Sequence, residues 1–145
     1  MVQVHPNSRN VIPGRVKFSI DLRNSTDALV DQMADEFKAY AAQVSKESCL
    51  AVQIEMVSSY PAQAFHADCI DAVARAAKKL GYSNMPTVSG AGHDAVYMAQ
   101  LAPSGMIFIP CKDGISHNEI EDAKPEHITA GCNVLLHAML ERAGT

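Results

Sequence analysis

His117 stands in the stretch "CKDGISHNEIED", residues 111–122, where Asp113, Glu119, Glu121 and Asp122 crowd one imidazole into a glycine-containing turn. The turn directly follows the apolar run "GMIFIP", and an open α/β sheet places its chemistry just past the ends of such strands. A neutral imidazole whose other ring nitrogen is held by a carboxylate is a common zinc ligand. A solvated surface turn has the same composition, so the residues alone allow both readings. A single imidazole also falls short of a catalytic zinc site, which needs a full set of protein ligands, an open position and a base within reach of the bound water.

Two further stretches could carry chemistry. In "SGAGHDA", residues 89–95, Gly90 and Gly92 permit close backbone approach, and the helix that follows would aim N–H groups at an anion. The G-x-G-x-x-G spacing of a dinucleotide site fails, because Ala95 follows Asp94. His93 there reads either as a ligand contact or as a helix cap or loop tie. In "VHPNSRNVIPGR", residues 4–15, prolines and a glycine tie a turn, and Asn10 reads by default as a turn residue bonding its own backbone. Arg23 reads by default as a solvated charge. Should the turn fold back, Asn10 and Arg23 together could receive a carboxylate, the group that a guanidinium fork suits best.

The elements that must position these loops follow from apolar periodicity. Residues 16–22 alternate, with Val16, Phe18, Ile20 and Leu22 on one face, as a half-wet strand does. A short strand at Val2–Val4 precedes it. "NST" offers a helix cap with Asp27 at the dipole, and Leu29, Val30, Met33, Phe37, Tyr40, Ala41 and Val44 recur at helical spacing. Val52, Ile54 and Met56 return to a period of two. Residues 1–60 thus read as β-β-α-β, an antiparallel sheet with a helix on its dry face. "SSYPAQ", residues 58–63, reads as a linker.

Residues 61–145 read as α-β-α-β-α. A helix at 66–80 stops at Gly81, and "PTVSG" forms a short strand. A helix at 94–100 precedes "GMIFIP", a strand apolar enough to be buried on both faces. A last helix opens near Pro125 and runs to Gly144. The expected class is therefore α/β, but two short strands make no stable sheet on their own, and this half reads as incomplete.

Composition narrows the function. With 48% hydrophobic residues in 145 the chain can bury a substantial core. A net charge of −4 leaves no basic footprint, which argues against nucleic acid. No apolar run approaches the roughly 20 residues that span a bilayer, and "MVQVHPNSRN" carries no secretory pattern. Cys49, Cys69, Cys111 and Cys132 form no C-x-x-C pair and read as reduced thiols of a cytoplasmic protein rather than disulfides or thiolate ligands.

Taken together, "PNSRNVIPGRVKFSIDLR", "SGAGHDA" and "IPCKDGISHNEIED" resemble, in order and detail, the zinc-dependent N-carbamoyl-L-amino-acid hydrolases. That family includes β-ureidopropionase and allantoate amidohydrolase and belongs to the aminoacylase-like di-zinc amidohydrolases. The resemblance covers nearly the whole chain. It implies that residues 1–60 are the latter part of a lid or dimerisation domain and residues 61–145 the closing part of a catalytic α/β domain. It also implies hydrolysis of the carbamoyl C–N bond, releasing carbon dioxide, ammonia and an amino acid. By that analogy His117 is the last zinc ligand, with other divalent ions as alternatives. Gly92 and His93 line the substrate site, Asn10 and Arg23 hold the substrate carboxylate, with a partner subunit's site as one location for it, and the lid implies a homodimer.

The remaining ligands of the family, its general base and a lid histidine have no counterpart here. His5, His66, His127 and His137 sit in unlike contexts and read as structural or solvated. No catalytic residue is therefore expected within the chain, and the metal site is expected to be incomplete. "MVQV" reads as the interior of a strand, so an N-terminal part is expected upstream. The alternatives are a non-catalytic association module, whose strand edges would seek partners, and a carboxylate-binding protein using Asn10 and Arg23.

Overall fold

The computed structural model describes residues 1–144, which form two compact units that divide between Ala62 and Gln63. The class is α/β, with a two-stranded sheet and four α-helices among the described residues.

In the first unit β1 (Val2–His5) pairs antiparallel with β2 (Arg15–Phe18), Val2 opposite Phe18 and Val4 opposite Val16. Partners directly opposite share a face, so Val2, Val4, Val16 and Phe18 make one apolar face, with Gln3 and Lys17 on the other. The connecting turn closes where Gly14 N–H donates to His5 O at 2.9 Å. α1 (Asp27–Ser48) follows, capped at its C-terminus by Cys49 in the left-handed region.

Several expectations for this unit need correction. The alternation of residues 16–22 continues past Phe18 but the strand ends there, with Ser19 N–H donating to the Met1 carbonyl at 3.2 Å. Val52, Ile54 and Met56 join no strand, since alternation supplies faces but not a hydrogen-bonding neighbour. The apolar ribbon face is not dry: Val2 is 67% and Phe18 57% exposed, and α1 has no buried residue. Four-residue strands are too narrow to cover a helix of 22 residues. Asp27 also finds a more specific partner than the helix dipole, its Oδ1 accepting from Ala62 N–H at 2.7 Å.

In the second unit α2 (Ala67–Lys79) packs on α4 (Pro125–Ala143), and the core lies between them: Ala72, Ala76 and Ala77 against Val134 and Ala138. Small side chains at this helical spacing let the two backbones approach closely. Val73, Leu80, Tyr82 and Ile107 surround that core. Arg75 bonds Glu141 across the pair, with Nε 3.0 Å from Oε1. Gly81, at φ +76°, ends α2 as the sequence suggests.

Residues 105–109 run against both helices. A Cβ on Gly105 would lie 3.0 Å from Cys69 Cβ, and one on Gly131 would lie 2.7 Å from Ile109 Cγ2. Neither this segment nor "PTVSG" joins a strand among the described residues. "MIFI" is also not buried on both faces. Ile107 and Ile109 are half-buried, whereas Phe108, pointing the other way, is 51% exposed. α3 (Asp94–Ala99) and a 3-10 turn (Lys112–Gly114) complete the unit. Among the described residues no helix is long and apolar enough to cross a membrane, and all four cysteines are free thiols.

Candidate functional site

In the first unit, Asn10 lies in the exposed turn between β1 and β2, where its Oδ1 accepts from Ser8 Oγ at 2.7 Å. That is a side-chain bond within the turn, not the bond to its own backbone that its residue type favours. Arg23 lies beyond β2 and grips Asp21, with Nε 3.0 Å from each carboxylate oxygen. These hydrogen bonds hold the Asp21 carboxyl below its usual range and raise the Arg23 guanidinium further. The ribbon does not itself unite the two residues. Asn10 belongs to the turn, whereas the chain toward Arg23 leaves from the open end, beside Met1.

In the second unit, His93 occupies the cap position of α3, yet its side chain makes no cap bond. The ring turns back into its loop, with Nε2 2.6 Å from Ser89 Oγ, and Ser89 Oγ also accepts from Ala91 N–H at 3.1 Å. Phe108 meets the ring edge-on, centroids 5.5 Å apart and planes at 63°. His93 is thus tied within its loop and held from the "MIFI" segment. Sequence reasoning missed both partners. The available signal was a hydroxyl four residues before the histidine, and the odd-numbered isoleucines that leave Phe108 on the opposite face. Gly92 is exposed, and a Cβ there would meet nothing within 4 Å.

The loop carrying His117 closes at its base, where Lys112 N–H donates to Asp122 O at 2.7 Å. His117 is exposed and adopts φ +56°, a left-handed conformation uncommon outside glycine, although histidine enters it more readily than most residues. Glu121 fixes that conformation by accepting the backbone N–H of His117 at 2.7 Å. The acidic neighbour therefore holds the backbone rather than the imidazole, and Asp113 at φ +56° with Gly114 at φ +68° turns the preceding corner. Two concave surfaces in this unit, one around Phe65 and Ser104 and one around Arg75 and Tyr82, include neither His93 nor His117.

The sequence pattern of peptidase family M20/M25/M40 matches residues 4–141. The chain belongs to this family. Among its M20 relatives, the "N-carbamoyl-L-amino-acid amidohydrolase" of Rhizobium meliloti is 45% identical over 138 residues, covering 95% of this chain and 33% of the relative. The "Ureidoglycolate hydrolase" of Oryza sativa subsp. japonica is 33% identical over 140 residues, covering 96% and 29%. The crystal structure of an "Amidase, hydantoinase/carbamoylase family" from Burkholderia multivorans superposes with a TM-score of 0.95 at 54% identity, covering 99% of this chain and 35% of that one. This M20 chain thus spans about a third of the length of these relatives.

M20 amidohydrolases are generally metal-dependent. Among the described residues no three His, Cys, Asp or Glu side chains converge to hold a metal ion. The described residues of this M20 chain therefore do not by themselves fit a metal centre.

Proposed function

We propose that the chain is the C-terminal portion of an amidohydrolase that cleaves the carbamoyl C–N bond of N-carbamoyl-L-amino acids or related ureido acids. The match over residues 4–141, joined to 45% identity with a carbamoyl-amino-acid amidohydrolase, carries this reading. In it, residues 1–60 close a lid or dimerisation domain and residues 61–145 close the catalytic α/β domain. Arg23 and Asn10 receive the substrate carboxylate, while Gly92 and His93 line the site. The open space around Gly92 and the two-sided support of the His93 ring favour those roles.

His117 contributes one ligand to a zinc site whose other ligands lie on polypeptide outside residues 1–145. Its exposed position and braced backbone support this, because a ligand offered to another segment must be presented outward and held still. The exposed apolar faces of the β1–β2 ribbon and of α1 support a second copy as partner, forming a homodimer through the first unit in the cytoplasm.

Metal analysis and a carbamoylase assay on the purified chain test this division of labour. The expected result is no stoichiometric metal and no ammonia release from N-carbamoyl-L-amino acids. Tightly held zinc together with turnover would show that the chain is self-sufficient.

A further inference from the structure

Ser89 lies outside the residues given roles above, yet its hydroxyl is hydrogen-bonded to the His93 ring. We propose that Ser89 is a positioning residue that fixes the tautomer of His93, keeping the proton on Nδ1 and presenting that N–H as a donor. This deepens the reading above and rests on it for one point, that His93 lines the substrate site.

The assignment follows from hydroxyl bookkeeping. A serine hydroxyl offers one proton and two acceptor lone pairs. Ser89 Oγ already accepts from Ala91 N–H at 3.1 Å, and Nε2 of His93 lies 2.6 Å away. Accepting an N–H polarises the hydroxyl and makes it a better donor. The second lone pair leaves both directions open to this contact, and donation from the polarised Oγ–H to Nε2 is the one we propose. A neutral imidazole with Nε2 accepting carries its own proton on Nδ1. Phe108 packs edge-on against the same ring, which limits rotation about the Ser89 bond. The ring would therefore meet a ligand as a hydrogen-bond donor, which matches an acceptor oxygen such as the carbonyl of a ureido group or a carboxylate. A ligand N–H would find no acceptor at that nitrogen.

Imidazole nitrogen-15 spectra of the 145-residue chain at neutral pH read the tautomer directly. The His93 signals are assigned by their loss in His93→Gln. The expected result is a ring mainly in the Nδ1–H form, shifting to mainly Nε2–H in Ser89→Ala, the form an unrestrained imidazole prefers, with Ser89→Thr restoring Nδ1–H. An Nε2–H ring in the native chain would overturn the proposal, as would a tautomer that ignores loss of the hydroxyl. The readout needs neither metal nor turnover. A failure of the carbamoylase reading leaves it standing, and a wrong tautomer leaves the carbamoylase reading intact.

Discussion

Replacing Gly131 with alanine sets two effects of known size against each other. Gly131 lies inside α4, where alanine is favoured over glycine by about 0.8–1 kcal/mol. The added Cβ, however, would fall 2.7 Å from Ile109 Cγ2, well inside ordinary carbon contact. That methyl group sits on a β-branched carbon with a stiff χ1, so it cannot swing aside as the end of a long side chain would. Overpacking of this kind typically costs about 1–3 kcal/mol. The net expectation is destabilisation of roughly 0–2 kcal/mol, centred near 1. Urea unfolding followed by circular dichroism measures it. The same substitution in an Ile109→Ala background meets no Cγ2 and should stabilise by about 1 kcal/mol relative to that background. Stabilisation by Gly131→Ala in the native background, or equal effects in both, would refute the packing of residues 105–109 against α4. Phe108 is carried by that segment, so the same packing helps to hold the His93 ring.

Gly92→Ala meets open space, so its unfolding free energy should change by no more than about 1 kcal/mol, while carbamoylase activity of an enzyme carrying the chain should fall; a large stability loss would place hidden packing there. The Arg75 hydrogen bond depresses the Glu141 carboxyl, so its contribution is present above the unfolded carboxylate value and is lost as pH falls through the folded one. Glu141→Gln should therefore flatten part of the acid limb of a stability-versus-pH curve, and an unaltered limb would contradict this. Arg23→Ala, in an enzyme carrying the chain, should raise KM roughly 10- to 150-fold with kcat less affected, from about 1.5–3 kcal/mol for a hydrogen bond to a charged group; an unchanged KM would remove Arg23 from the substrate carboxylate.

The helices were legible because each carries its own evidence: apolar residues at helical spacing, Pro125 at one start and Gly81 at one stop. Strands were legible only where both partners lie in the chain, as Val4 and Val16 do. The alternation at Val52, Ile54 and Met56, and the apolar run at "MIFI", describe faces and say nothing of a neighbour, and no strand pairs there among the described residues. The three loops that carry the family resemblance could be picked out by residue type. Their local bonds could not, because those depend on backbone turns of a few residues. Ser89 reaches His93 through the bend at Ala91. Likewise Glu121 serves the backbone of His117 because that residue is left-handed, a conformation that nothing in "ISHNE" requires.

In the proposed enzyme, His117 completes a metal-dependent carbamoylase site assembled with polypeptide outside these residues. Exchanging this chain for the corresponding 138-residue segment of the Rhizobium meliloti amidohydrolase tests it most directly. Ammonia release from an N-carbamoyl-L-amino acid is measured on the folded chimera with His117 and with His117→Ala. Turnover is expected with His117, and a loss of at least about 100-fold without it. Equal turnover in both chimeras would contradict it.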